Sequence, residues 1–178
     1  VDYVSEKRKK EGDSLCVDIA SNDGCLLREF KTKGYKVLGV EPATNLAKIA
    51  VADGIETIND FWSFETARRI LKTHGDASVI TATNVFAHID DVHGFLEGVN
   101  ALLKTEGIFI LEVPYMVDLT EKNEFDTVYH EHLSYFLVKP LKVLFEKHGF
   151  RIADIVNLPI HGGSIRVCSV KVNNDSVG

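Results

Sequence analysis

The densest chemistry in the chain is Tyr129-His130-Glu131-His132-Leu133-Ser134-Tyr135, where two imidazoles, one carboxylate and two phenols fall within seven residues. An imidazole titrates near neutral pH, so this grouping suits proton transfer by a His or a Tyr, with Glu131 orienting an imidazole. If the segment is extended, His130 and His132 share one face and Tyr129 and Glu131 the other; a turn would break that pairing. An H-x-H pair on a strand could also ligate a metal, but further ligands are lacking nearby and no metal is expected. A structural polar cluster is the third reading. Upstream, Asn84 and His88 are polar residues inside an apolar phrase, Thr83 to Ile89. A lone His is more often structural, yet one beside a crevice at a strand tip is a candidate for chemistry.

A second group of residues could hold a ligand with a cationic centre. Asp18-Ile19-Ala20-Ser21-Asn22-Asp23-Gly24 closes an apolar run of strand length and opens an apolar-periodic segment, which reads as strand, tight turn, helix. About 20 residues on, Val37 to Val40 runs into Glu41 and Pro42, where a nucleoside-binding α/β domain places its acceptor for ribose hydroxyls. A dinucleotide fingerprint would carry three glycines; this turn has Gly24 alone, and Asp18 and Asp23 would repel a pyrophosphate. They suit S-adenosylmethionine, which has a sulfonium, an ammonium and ribose hydroxyls and no phosphate. An ordinary strand–turn–helix corner is the alternative. In Asn59-Asp60-Phe61-Trp62, Asp60 could accept from an adenine amine while Phe61 or Trp62 lies against the ring. Alternatively Asp60 caps the next helix and the aromatics are core. The expected cofactor-binding residues are therefore Asp18, Ala20, Ser21, Asn22, Asp23, Gly24, Glu41, Pro42, Asp60, Phe61 and Asn84.

These residues must be positioned by an alternation that begins at Leu15. Strands are expected over 15–20, 36–40, 55–58, 76–82, 107–113, 150–157 and 164–172, and helices over 24–33, 43–53, 62–74, 91–104 and 138–148. The helix stripes stop at Gly34, Gly54 and near Gly107. Residues 116–128 show no clear periodicity and read as a long loop, functional or disordered. Alternating elements of this size imply a mostly parallel sheet covered on both faces. The last two strands are joined only by Leu158 to Gly163, too short for a parallel crossover, so they should pair antiparallel. A mostly parallel seven-stranded α/β sheet ending in an antiparallel hairpin is the class I methyltransferase, Rossmann-like arrangement. The hairpin carries His161-Gly162-Gly163-Ser164-Ile165-Arg166; its glycines suit a tight turn, or Arg166 and backbone N–H groups meet a substrate phosphate.

Composition bounds the remaining classes. The 178 residues are 45% hydrophobic and 26% charged, which fits one globular domain over 15–178 after a polar segment, 1–14, that is expected to be trimmed at its front. A net charge of −6 argues against nucleic acid as partner; the basic cluster Lys7-Arg8-Lys9-Lys10 reads as a solvated end. No apolar run approaches the ~18 residues of a membrane span. Cys16 and Cys168 sit in strand-like apolar runs, and with Cys25 they form neither a CxxC pair nor a zinc spacing, so a reducing cytoplasm is expected.

Asp18–Gly24, Asn84–His88, Tyr129–Tyr135 and His161–Arg166 occur in order and at plausible intervals. On these phrases the chain, from residue 14 on, resembles the sugar C-methyltransferases that act on nucleotide-linked 4-keto-6-deoxyhexoses. The resemblance implies S-adenosylmethionine as cofactor, a sugar nucleotide as small-molecule partner, and methylation of carbon through an enolate. It implies His132 as base with Glu131 in support, Tyr129 and His88 as hydrogen-bond partners of the enolate or proton donors, and Asn84 against sugar or cofactor. Ala20 departs from the Gly usual in the first turn. Family members usually carry an N-terminal zinc-binding domain and a C-terminal domain that holds most of the sugar nucleotide; this chain is expected to be the central domain. The competing expectations are O-methylation of a sugar or metabolite hydroxyl, or a truncated domain that binds cofactor without turnover.

Overall fold

The computed structural model describes residues 1–7 and 14–173. In chain order the elements are α1 (Asp2–Lys7), β1 (Leu15–Ile19), α2 (Cys25–Thr32), β2 (Lys36–Val40), α3 (Thr44–Ala52), β3 (Thr57–Ile58), α4 (Phe64–His74), β4 (Ala77–Thr83), α5 (Val92–Leu102), β5 (Leu103–Pro114), α6 (Met116–Glu121), α7 (Val138–Lys147), β6 (Phe150–Leu158) and β7 (Ser164–Lys171). One seven-stranded sheet runs in the order β3-β2-β1-β4-β5-β7-β6, parallel except for β7, which is antiparallel to both neighbours. This is the expected class I methyltransferase fold. Chain order reverses between β1 and β4, which opens a crevice beyond their carboxyl ends.

Every residue of β1 is buried, as a central parallel strand covered on both faces requires. The pleat sorts its side chains. Leu15, Val17 and Ile19 join the core under α4 and α5 with Ile70, Phe95 and Leu96, while Cys16 joins the core on the other face with Leu27, Phe30 and Ile55. Asp18 shares the second face with Cys16 and stands in register with Thr81 of β4.

Three sequence expectations change. The helix over 91–104 ends at Leu102, because Leu103 pairs with Ala77 and starts a twelve-residue strand. Residues 116–128 are not one loop: α6 occupies Met116–Glu121, and a 3₁₀ turn covers Phe125–Thr127. The strand over 55–58 shortens to Thr57–Ile58. Most of the basic cluster, Arg8 to Lys10, lies outside the described residues. Among the described residues no helix is long and apolar enough to cross a membrane.

Candidate active site

A cavity of about 820 Å³ lies over the carboxyl ends of β1, β2 and β4. The turn after β1 forms its floor. Ala20 and Asn22 both adopt left-handed φ (57° and 54°), and the N–H groups of Ala20 and Ser21 both donate to the Val40 carbonyl, at 2.8 and 3.3 Å. Strain of this kind costs roughly 1–2 kcal/mol for a residue with a Cβ and persists where the surroundings impose it. Gly24 (φ 80°) caps α2, and a Cβ there would press within 3.2 Å of Ile55. Glu41, 5% exposed, accepts from the backbone N–H of Asn22 (2.9 Å) and of Ala43 (2.8 Å), so the first turn and the start of α3 hold its carboxylate in place. Asp18, 4% exposed, accepts from Thr81 Oγ1 at 2.6 Å. Burial pushes its carboxyl up to about 7; the Thr81 hydroxyl opposes that shift and the nearby Glu41 charge adds to it. Pro42, Phe61 and Trp62 wall the cavity. Trp62 is anchored by an Nε1–H bond to the Phe95 carbonyl at 3.1 Å, while Phe61 is 75% exposed at the rim.

A smaller cavity of about 370 Å³ opens beside the first and shares Asn84 and His88 with it. Its walls include Glu124, Asp126, Tyr129, His132 and His161. The Tyr129–Tyr135 segment is not extended. It turns at 129–131, with the His132 N–H bonded to the Tyr129 carbonyl, and it docks on the 3₁₀ turn Phe86–His88 through Leu133 N–H to Ala87 O at 2.8 Å. The turn breaks the His130/His132 pairing. His130 points out, its side chain 89% exposed, while the His132 and His88 rings lie 4.9 Å apart and Tyr129 packs 4.5 Å from His132. Both inner imidazoles are oriented by backbone. His132 Nδ1 bonds the Thr127 carbonyl (2.8 Å) and His88 Nδ1 bonds the Glu131 carbonyl (2.9 Å). A carbonyl only accepts, so Nδ1 carries the proton in each neutral ring and Nε2 keeps a lone pair.

Residues 1–155 match the family described as methyltransferase domain. The chain belongs to that family. A curated relative of this methyltransferase domain, C-methyltransferase NovU of Streptomyces niveus, is 44% identical over 167 residues, which cover 94% of this chain and 40% of the relative. The chain thus spans about two-fifths of that relative's length. Among solved structures, the YcgJ protein of Bacillus subtilis superposes with a TM-score of 0.74 at 13% identity, covering 96% of this chain and 97% of that one. Magnesium protoporphyrin IX methyltransferase of Synechocystis PCC 6803, solved with bound S-adenosylhomocysteine, gives 0.71 at 13%, covering 96% and 79%. Likeness at these identities shows the fold alone.

A methyltransferase domain takes its methyl group from S-adenosylmethionine, and the large cavity fits that cofactor. The Ser21 hydroxyl and the Asn84 side-chain oxygen are buried there without a partner among the described residues, which is what a bound polar ligand would satisfy. Glu41 keeps acceptor capacity for hydroxyls, and the buried carboxyl of Asp18 lies on the cavity floor. Of the expected cofactor residues, Asp18, Ala20, Ser21, Asn22, Glu41, Pro42, Phe61 and Asn84 line the cavity. Others face elsewhere. Asp23 accepts from Arg28 and from the Cys25 N–H, which hold its carboxyl below the usual range. Asp60 pairs with Arg69 at 2.7 Å, and the helix cap is Ser63, whose hydroxyl accepts from Thr66 N–H. Glu131 brings its backbone oxygen to an imidazole, while its carboxylate is exposed and 4.0 Å from His130. Sequence reasoning missed Thr81 and Thr127. Thr81 is a polar residue in an apolar strand at the level of Asp18, a pattern visible in the sequence; a backbone carbonyl such as that of Thr127 leaves no trace there.

Proposed function

We propose that this methyltransferase domain methylates carbon, on a nucleotide-linked 4-keto-6-deoxyhexose, by way of an enolate. The observation that carries the reading is the His88–His132–Tyr129 cluster, beside the cofactor cavity and joined to it through Asn84 and His88. The name of the relative NovU, a C-methyltransferase, supports methylation of carbon. Carbon is a nucleophile only once a proton beside the ketone has been removed. S-adenosylmethionine, when bound, supplies an electrophilic methyl group on a sulfonium.

His132 takes the proton on Nε2, the C–H electron pair passes into the carbon–carbon bond, and the carbonyl π pair moves to oxygen. The Thr127 carbonyl, accepting from Nδ1–H, stabilises the resulting imidazolium. The developing oxyanion needs a preorganised donor. Tyr129 has an O–H to give; neutral His88 presents a lone pair at Nε2 and can donate only as imidazolium. Tyr129 is therefore the enolate donor and His88 the group that exchanges a proton with solvent or substrate.

The test uses a nucleotide-linked 4-keto-6-deoxyhexose in D₂O. Without cofactor the domain should exchange the proton beside the ketone for deuterium, and His132→Ala should abolish the exchange. With cofactor, mass spectrometry and NMR should place the new methyl on carbon. A methyl on oxygen, or carbon methylation unaffected by His132→Ala, would refute the mechanism.

A further inference from the structure

The cofactor cavity extends past the crevice along the sheet face. It reaches from Glu41, at the end of β2, to Arg166 on β7. Four strand spacings separate β2 from β7, about 19 Å. The far end is built by a charged pair. Glu112 on β5 and Arg166 on β7 are directly opposite each other, in the pleat row that begins with Thr83 of β4. Glu112 is 5% exposed, and the Arg166 side chain is 31% exposed. Arg166 Nε and Nη2 both donate to the same oxygen, Glu112 Oε2, at 3.1 and 3.0 Å. Glu112 Oε1 and Arg166 Nη1 are left without a partner among the described residues. The Tyr3 ring packs against the guanidinium at 5.7 Å and is itself anchored by its O–H to Asp154, which holds α1 over this end.

Charge decides what this end can hold. Among the described residues that line the cavity, Arg166 is the one lysine or arginine, against three carboxylates, Asp18, Glu41 and Glu112. Among the described residues, a ligand carboxylate placed in this cavity has the Arg166 guanidinium as the side chain of fixed positive charge to meet. Taking an ion pair out of water is expensive, and two bonds to a single oxygen leave the second carboxylate oxygen and the remaining guanidinium N–H groups unmet by this pair. A ligand offering an acceptor to Nη1 and a donor to Oε1 side by side would complete both. An α-amino acid group is such a ligand, with its carboxylate and ammonium on one carbon.

We propose that the Glu112–Arg166 pair is the subsite for the amino-acid end of S-adenosylmethionine, with Arg166 Nη1 donating to the carboxylate and Glu112 Oε1 accepting from the ammonium. The inference rests on the cofactor assigned above. It makes β7, in the terminal hairpin, part of the cofactor site, and it assigns a ligand to Arg166 within the His161–Arg166 phrase.

The test compares two nucleosides by calorimetry on the whole chain: S-adenosylhomocysteine, which has the amino-acid tail, and 5′-methylthioadenosine, which lacks it. Arg166→Met should weaken S-adenosylhomocysteine binding on the order of 10–100-fold and leave 5′-methylthioadenosine binding within about twofold, the unchanged ligand also reporting an intact fold. Arg166→Lys keeps the charge but loses the fork, and covers the case in which the methionine variant does not fold; it should show a smaller loss for the same ligand alone. Equal effects on both ligands, or none on either, would mean an internal ion pair and overturn the inference. A wild-type chain that binds neither nucleoside would refute the cofactor assignment itself, which is a different outcome.

Discussion

Asp18 provides the sharpest test of the cofactor cavity, because its protonation is coupled to both folding and binding. The perturbation is Asp18→Asn, which keeps the size and the acceptor for Thr81 Oγ1 but cannot ionise. Burial, reinforced by the Glu41 charge and partly offset by the Thr81 hydroxyl, raises the Asp18 carboxyl from 3.8 to about 7. A gap of about three pH units corresponds to roughly 4 kcal/mol for ionising this group in the folded chain rather than in water. The folded state therefore holds the extra proton between about pH 4 and 7. Stability falls as pH rises through that window, and above pH 7 the full penalty remains. Between pH 5 and pH 8 this linkage removes roughly 2–3 kcal/mol from the wild type and nothing from the variant. Urea unfolding of both proteins at pH 5, 6, 7 and 8 measures it. The stability of Asp18→Asn relative to wild type should grow by that amount from the acid to the alkaline end. A cationic ligand should reverse the balance by favouring the carboxylate, so that in the wild type S-adenosylmethionine binding below pH 7 releases protons to the buffer. A stability difference that stays flat from pH 5 to 8 would refute the raised carboxyl and the role built on it.

Glu41→Ala removes the carboxylate proposed to accept from the ribose and the clamp on Asn22 and Ala43, and should raise the cofactor dissociation constant on the order of 10–100-fold by calorimetry. His132→Ala should lower turnover on the order of 10²–10⁴-fold with cofactor affinity nearly intact; unchanged turnover would remove His132 from the chemistry. Ala20→Gly relaxes a left-handed residue (φ 57°) at the floor of the cavity, and should stabilise the fold by about 0.5–1 kcal/mol in denaturant titration, net of the added freedom of the unfolded chain.

Much of this arrangement is legible in the residues, for reasons that can be located. The strand expected over 36–40 is β2, because a buried strand needs a continuous apolar run and turn residues bound it. The antiparallel hairpin followed from the five residues between β6 and β7, too few for a crossover. The helix expected over 91–104 overran because Leu103 continues the apolar stripe; pairing with Ala77 outweighs that local preference. The segment Met116–Glu121 is too short to display a 3.6-residue period, so its helix was invisible. Site residues divide the same way. Asp18 and Asp23 have equal chemistry, five positions apart, yet one lies under the cavity and the other is turned outward to Arg28. Glu131 was expected to orient an imidazole with its carboxylate; a turn at 129–131 substitutes its carbonyl.

The sequence alone determined the element order, the sense of the final hairpin and which phrases carry chemistry, because these depend on residue type and spacing along one chain. The tertiary structure decided which groups meet. Asn84 and His88 join two cavities, Thr81 reaches Asp18 across 63 positions, and Arg166 reaches Glu112 across 54. The last two pairings are set by strand register and by the face of the pleat on which each residue falls, and a shift of one residue would send either to the other side of the sheet, whereas Asn84 and His88 lie beyond the end of β4, where the chain has turned out of the sheet.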